Sequence, residues 1–320
     1  MKPTREIPED AALPGLAVIR QRGLARALPT LGLRGSVELV MRGHTKGKRM
    51  TLEARCGDLR FAVKACDDDP TPEALLYQEL AVQGLAPRLA RACTAGVRVP
   101  PLLAWDRRLQ LLASGWLEGP AVNDLIKEGQ GERAGELASR WFRRAASLSV
   151  LQGTAYGPER VLERAPEWVG MLARADAELG SAAGALLHEL ARTPPCVESR
   201  GLVHGTLYAR HVIDTGTEPG LIDWDGFGHG PPEFDAGTFL ATVRRIALSS
   251  PDAVDAVARA EQAFLAGTAG RLDECALSWY RAAALLRIAR RLEIRSSDNW
   301  KARALWLLSE AGRLAMTAAA

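Results

Sequence analysis

Four residues with usable chemistry crowd into one short stretch: Thr206, His211, Asp223 and Asp225. They belong to His204-Gly205-Thr206-Leu207-Tyr208-Ala209-Arg210-His211 and to Gly220-Leu221-Ile222-Asp223-Trp224-Asp225. A carboxylate such as Asp223 suits a hard cation like Mg2+, commonly held by one or two carboxylates together with phosphate oxygens. It would equally end a hairpin through an Asx turn. Asp225, two residues on, is placed to assist a metal or to cap the turn. The Thr206 hydroxyl can hydrogen-bond but is no general base near neutral pH. The His211 imidazole can ligate a metal, and suits zinc or nickel better than magnesium. The five cysteines are scattered without a CxxC pair, which points to free thiols in a cytoplasmic protein rather than disulfides or zinc. The sequence offers no independent Ser-His-Asp triad.

The elements that must position these residues are legible around them. Val212-Ile213 and Leu221-Ile222 read as two strands, with Thr215-Gly216 and Pro219-Gly220 marking the connection. This hairpin fixes where Thr206, His211 and Asp223 stand relative to one another. Upstream, Val37–Met41, Met50–Arg55 and Leu59–Cys66 read as an antiparallel meander with tight turns at 42–48 and 56–58. The first turn carries Gly43, Gly47, Lys46, Lys48 and Arg49, so backbone N–H groups and positive charge could meet an anion there. A helix follows, with Thr71 as N-cap, Pro72 at its first position and Glu73 in its first turn. Pro100–Trp105 and Arg108–Ala113 read as two more strands, and Ser114–Pro120 as a crossover. Beyond it the pattern is helical, at roughly 121–128, 132–151, 166–192, 236–250, 252–269, 273–294 and 299–318. Residues 1–35 read as a leader whose short helix is limited by Pro14 and Pro29.

At 320 residues the chain can bury a large core, and 47% hydrophobic with 25% charged residues is an ordinary globular composition. A net charge of +3 is too small to imply nucleic acid or an anionic membrane, and no apolar run reaches the ~20 residues of a membrane helix.

The motifs at 203–235 resemble the catalytic and metal-binding loops of the aminoglycoside phosphotransferase family, which is similar in fold to protein kinases and choline kinases. That family reads His-Gly-Asp, four residues, Asn or Gln, and then an Ile-Asp-Trp/Phe-Asp/Glu turn. Its catalytic Asp falls on Thr206 and its metal-binding Asn on His211. Over about residues 36–310 the resemblance implies an α+β, protein-kinase-like two-lobed fold. Its parts would be a leader at 1–35, a small antiparallel-sheet N-lobe at 36–118 and a larger helical C-lobe at 119–320. It implies ATP, or another nucleoside triphosphate, bound with Mg2+ between the lobes. Lys64, in Phe-Ala-Val-Lys, would reach the phosphates as a point charge. Glu79, near the inward face of the next helix beside Leu75 and Leu76, would hold that ammonium; Glu73 is the second candidate for the pairing, in a first-turn position that favours a helix-dipole role. Gly43 and Gly47 would cover the phosphates. The stretch from Ser114 through Trp116 to Leu117 would offer its main chain to the adenine.

In the second half, the resemblance makes Asp223 the metal ligand, with His211 in the second ligand position, and makes His204 and Asp235 structural. Trp279 and Tyr280 are positioned to line an acceptor cleft. Arg287, Arg290, Arg291 and Arg295 form a basic stripe that suits a solvated face or an anionic ligand. Two function classes follow. One is an ATP-dependent phosphotransferase acting on a small-molecule hydroxyl, with its base displaced to His211 or Asp225. The other is a pseudokinase that binds a nucleotide and serves a small-molecule or protein partner. Thr206 favours the second. The Arg content of the C-terminal half gives no support to a polycationic aminoglycoside as the acceptor.

Overall fold

Alternating polarity and short turns make the first part of the chain a sheet, and longer amphipathic runs make the rest helical. The structure, a computed structural model, describes residues 6–86, 96–148, 150, 152–196, 200–290 and 299–318. Two compact units divide it, Met1–Glu118 and Gly119–Ala320.

The first unit contains α1 (Pro14–Arg22), α2 (Leu24–Ala27), β1 (Glu38–Thr45), β2 (Arg49–Cys56), β3 (Leu59–Cys66), α3 (Thr71–Val82), β4 (Leu102–Asp106) and β5 (Leu111–Gly115). The strands form one sheet in the order β1-β2-β3-β5-β4, antiparallel throughout. Successive side chains of a strand point to opposite faces, so the register sorts them. Met50, Leu52, Ala54, Phe61, Val63 and Ala65 share one buried face, while Thr51 and Lys64 are cross-strand partners on the other. Residues 1–35, expected as a leader, contribute Leu13, Leu16, Ile19, Leu24 and Leu28 to this core. The two prolines bound short helices there rather than prevent packing.

The second unit contains α4 (Val122–Lys127), α5 (Gly131–Ala145), β6 (Thr154–Ala155), α6 (Pro158–Ala175), α7 (Ala177–Arg192), β7 (Gly201–Val203), β8 (Val212–Asp214), β9 (Pro219–Leu221), β10 (Gly228–Gly230), α8 (Pro232–Ser249), α9 (Val254–Thr268), α10 (Glu274–Ala289) and α11 (Trp300–Ala318). The expected helix at 166–192 is two helices. Asp176 ends α6 in an extended conformation and caps α7, accepting the Glu178 N–H at 2.9 Å and the Leu179 N–H at 3.2 Å. The expected hairpin is present as β8 and β9, with Val212 opposite Leu221. Three short strands, β6, β10 and β7, form a small sheet with no counterpart in the expected elements. Each spans only two or three residues, too few for alternation to register. Trp168, Leu172, Leu186, Trp279 and Leu285 centre the core of this unit.

Candidate functional site

In the first unit, Lys64 is buried on β3, and its Nζ lies 2.8 Å from Glu73 Oε1. This corrects the expected pairing with Glu79. The buried face of α3 is Glu73, Ala74, Leu76, Tyr77 and Leu80, whereas Leu75 is 47% exposed. Glu79 accepts instead from Gln83 Nε2 at 2.9 Å. Thr71 is the first helical residue rather than the cap, and its N–H donates to Asp69 Oδ1 at 2.9 Å.

The expected phosphate-covering turn differs as well. Gly43 lies within β1 at a bulge, not in the turn. Gly47 is in the turn with φ of +72°, a conformation that favours glycine. Its N–H donates to Asp10 Oδ2 at 2.8 Å, the same oxygen that meets His44 Nε2 at 2.8 Å. The amide is therefore taken by an internal carboxylate. Ser114 is a buried residue of β5, paired with Ala62 on one side and Leu102 on the other, and the Gly115 N–H donates to the Pro101 carbonyl. The main chain of Ser114 and Gly115 is thus taken up within the sheet, and only Trp116 and Leu117 of the expected stretch lie beyond the strand. That ring packs under Arg60, whose guanidinium carbon is 4.2 Å from its centroid. Arg60, Arg42 and Arg55 all converge on Glu53, which has no exposed side-chain surface. Burial pushes the Glu53 carboxyl up, but the hydrogen bonds from Arg60, Arg42 and Arg55 override it and hold the group at about 2.

In the second unit, the loop after β7 is anchored by Asp235 in the first turn of α8. Its carboxylate accepts the His204 N–H at 2.6 Å and the Gly205 N–H at 3.0 Å. Burial pushes this carboxyl up to about 7 against the opposing pull of those N–H groups and of Arg287. The fully buried His204 ring donates from Nε2 to the Ile222 carbonyl at 2.9 Å, joining the loop to the acidic turn. That bond leaves His204 Nδ1 as an acceptor for the Thr206 hydroxyl, at 3.4 Å. Gly205 has φ of +78°, and a Cβ there would lie 1.9 Å from the Gly226 carbonyl oxygen, so no larger residue fits. Tyr156, which sequence reasoning missed, donates its hydroxyl to that same carbonyl at 2.6 Å.

Asp223 has φ of 71° and ψ of 58°, a left-handed conformation uncommon outside glycine, asparagine and aspartate. Its Oδ2 lies 3.3 Å from His211 Nε2. His211 Nδ1 lies 2.8 Å from the Thr206 carbonyl, which makes Nδ1 the donor and leaves the Nε2 lone pair toward the carboxylate. Burial holds this imidazole neutral, well below its ordinary range, despite the Asp223 charge that favours protonation. One oxygen and one nitrogen donor so placed fit a divalent cation whose remaining ligands come from water or phosphate. Among the described residues no group of three or more His, Cys, Asp or Glu side chains is arranged to hold a metal alone. Asp225 is exposed in the turn Trp224–Gly226.

Beside this loop is an open cavity of about 210 Å³, lined by Gly205 and Thr206 among others. Tyr280, Arg287 and Arg290 line it too, as do Arg160, Arg164 and Trp168. Trp279 does not; it is fully buried and donates its Nε1–H to the Leu190 carbonyl. Arg291 and Arg295 lie outside the described residues. Neither His211 nor Asp225 lines the cavity. The sequence signal for this wall was weak, because Arg160 and Trp168 on α6 are far along the chain from Tyr280 on α10.

The profile of a family described as "Phosphotransferase enzyme family" matches residues 52–292. No curated protein matches the chain. Among solved structures, a thermostable mutant of aminoglycoside phosphotransferase APH(4)-Ia superposes with a TM-score of 0.62 at 15% identity, covering 88% of this chain and 96% of that one. The same enzyme in ternary complex with ADP and hygromycin B gives 0.60 at 15% identity, covering 88% and 95%. Choline kinase LicA from Streptococcus pneumoniae gives 0.61 at 14% identity, covering 92% and 99%. Together with the sheet-rich first unit and helical second unit, these likenesses establish an α+β, kinase-like fold with an N-lobe and a C-lobe.

Proposed function

Because the chain belongs to the phosphotransferase enzyme family, we propose that it binds ATP, or another nucleoside triphosphate, with a divalent cation, and that its altered loop makes it a pseudokinase or a very weak kinase. The observation that carries this reading is Thr206. It occupies the loop position that borders the cavity, and no carboxylate or imidazole lines that cavity among the described residues. Without a base, the hydroxyl of an acceptor has nothing there to take its proton, and such assistance is typically worth ~10²–10⁴-fold in rate.

Nucleotide binding draws support from the buried Lys64–Glu73 pair. A lysine taken out of water must be compensated, and this arrangement holds a point charge ready for phosphate oxygens. A related solved enzyme is a complex with ADP and hygromycin B, which supports a nucleotide and a small-molecule partner for this chain. Asp223 and His211 would hold the cation. Held by these two side chains, a divalent cation would supply positive charge next to the phosphates. An imidazole ligand tilts selectivity from Mg2+ toward Mn2+ or Zn2+. The alternative, an active phosphotransferase with a displaced base, requires His211 or Asp225 to reach the acceptor. His211 has Nδ1 committed to Thr206 and Nε2 directed at Asp223, which disfavours it.

Thermal shift with ATP, alone and with Mg2+ or Mn2+, tests the nucleotide site. Ligand at about 100 times its Kd adds about 2.7 kcal/mol, and Mn2+ should support binding at least as well as Mg2+. His211→Asn should move that preference toward Mg2+. Absence of any shift at millimolar ATP with either ion would rule the nucleotide out.

A further inference from the structure

The cavity beside Thr206 has a one-sided lining. Arg160, Arg164, Arg287 and Arg290 border it, and among the described residues no aspartate, glutamate or histidine does. Carboxylates nearby act from outside this wall. Asp235 is buried under the loop and feels Arg287. Glu159 and Glu233 influence Tyr280, and Glu167 makes a loose 3.7 Å pair with the exposed end of Arg164.

Two buried donors on the wall also lack a partner. Tyr280 is 2% exposed and Trp168 5% exposed, yet neither the Tyr280 hydroxyl nor the Trp168 Nε1–H makes a hydrogen bond among the described residues. Buried donors are nearly always satisfied, and an exception calls for an explanation, with an ordered water, an ion or a functional role among the candidates. The guanidinium groups are held against aromatic surfaces. The Arg290 carbon lies 5.7 Å from the Trp168 ring centroid, Arg160 lies 5.7 Å from Tyr156, and Arg287 lies 5.8 Å from Tyr208. Arg287 also donates to Thr238 Oγ1 at 3.3 Å. Such contacts limit the rotamers of long side chains and aim their forked donors.

We infer that this cavity takes a small organic oxyanion, a phosphate ester or a carboxylate, whose charged group is held by Arg287, Arg290 and the Tyr280 hydroxyl. A ligand so held leaves its other end toward Thr206. The identification deepens the reading of the cavity as the partner site of a phosphotransferase-family chain, but it does not depend on nucleotide binding. The same lining opposes a cationic ligand, which would face guanidinium groups with no carboxylate on the wall among the described residues.

The test is calorimetric titration of the full chain with ribose 5-phosphate against ribose, gluconate against glucose, and choline as the cationic probe. The expected result is that at least one anion binds ten-fold or more tightly than its neutral parent, with choline weakest. The tighter of the two anions identifies the oxyanion as phosphate or carboxylate. Tyr280→Phe should weaken the anion roughly ten-fold, the scale of one hydrogen bond to a charged group. It should leave the melting temperature unchanged or raise it, because the native hydroxyl is buried without a partner among the described residues. A purely structural hydroxyl would show the opposite pattern. Arg290→Ala should weaken the anion and leave the neutral sugar unaffected. Equal affinity for anion and parent, preference for choline, or no binding of any probe at millimolar concentration overturns the inference. An ATP titration run beside these separates the two claims. ATP binding without anion selectivity sinks only this inference, and anion selectivity without ATP binding sinks only the nucleotide reading.

Discussion

Asp235 ties the loop at 204–207 to α8, and its replacement should be costly in a way that depends on pH. Asp235→Ala strands the His204 and Gly205 amides, now held at 2.6 and 3.0 Å in a site where Asp235 is 2% exposed. A buried group left unmade costs about 1–3 kcal/mol, and two that share one site do not add strictly, so a loss of roughly 2–5 kcal/mol is expected. Asp235→Asn keeps an acceptor but cannot titrate. Burial raises the native carboxyl from 3.8 to about 7. Because the folded state then holds the proton more tightly than the unfolded state, the stabilisation from this group is complete below the unfolded value. It is lost as pH rises through the folded value, an effect of about 4 kcal/mol at most. The advantage of the native protein over Asp235→Asn should therefore be largest at about pH 4 and shrink toward about pH 7. Urea denaturation across that range measures it, followed by the fluorescence of Trp141, Trp224 and Trp279, which are buried in the same unit. A native advantage that grows as pH rises would refute this assignment. The N–H donors would then outweigh burial, and the carboxyl would be ionised in the folded protein at low pH.

Other outcomes follow from the first unit. Breaking the buried pair by Glu73→Ala or Lys64→Ala should cost about 3–5 kcal/mol, because each removes one side of a buried ion pair. Glu79→Ala, at a half-buried site, should change the stability measured by denaturation by less than about 1 kcal/mol; equal effects of Glu73→Ala and Glu79→Ala would contradict the pairing. Glu53 lies at about 2 when folded against 4.5 ordinarily, so its contribution is present above the unfolded value and is lost as pH falls from about 4.5 toward 2, by up to about 3 kcal/mol. Glu53→Gln should flatten that acid limb, and an unchanged limb would show that the arginine cluster does not act through Glu53.

The parts of the fold that were legible in the sequence are those with local causes. Gly216, Pro219 and Gly220 mark a hairpin whatever surrounds it, and alternation along 50–65 separates the core face from the Lys64 face. What was not legible depends on helix phase and on distant packing. Glu73 and Glu79 are six residues apart on α3, and only the burial of Leu76, Tyr77 and Leu80 decides which of them turns to β3. Asp10 reaches the turn at Gly47 across 37 residues, a contact no local pattern encodes. The arginine-lined cavity draws on α6 and α10, more than a hundred residues apart in the chain. His211 and Thr206 were prominent as departures from a motif, yet the tautomer of His211 depends on a carbonyl five residues away, which only the folded loop supplies.

The central claim is that the nucleotide site is usable while Thr206 limits chemistry, and ATP turnover measured together with ATP affinity tests it most directly. The comparison is between the native protein, Thr206→Asp, His211→Asn and the double variant. The two changes act on one site and should not behave independently. The expected result is that the double variant gains turnover on the ~10²–10⁴-fold scale of general-base assistance, beyond either single change, while ATP affinity changes by only a few-fold. Turnover by the native protein at an ordinary kinase rate of about 1–100 per second, with no gain in the double variant, would contradict it.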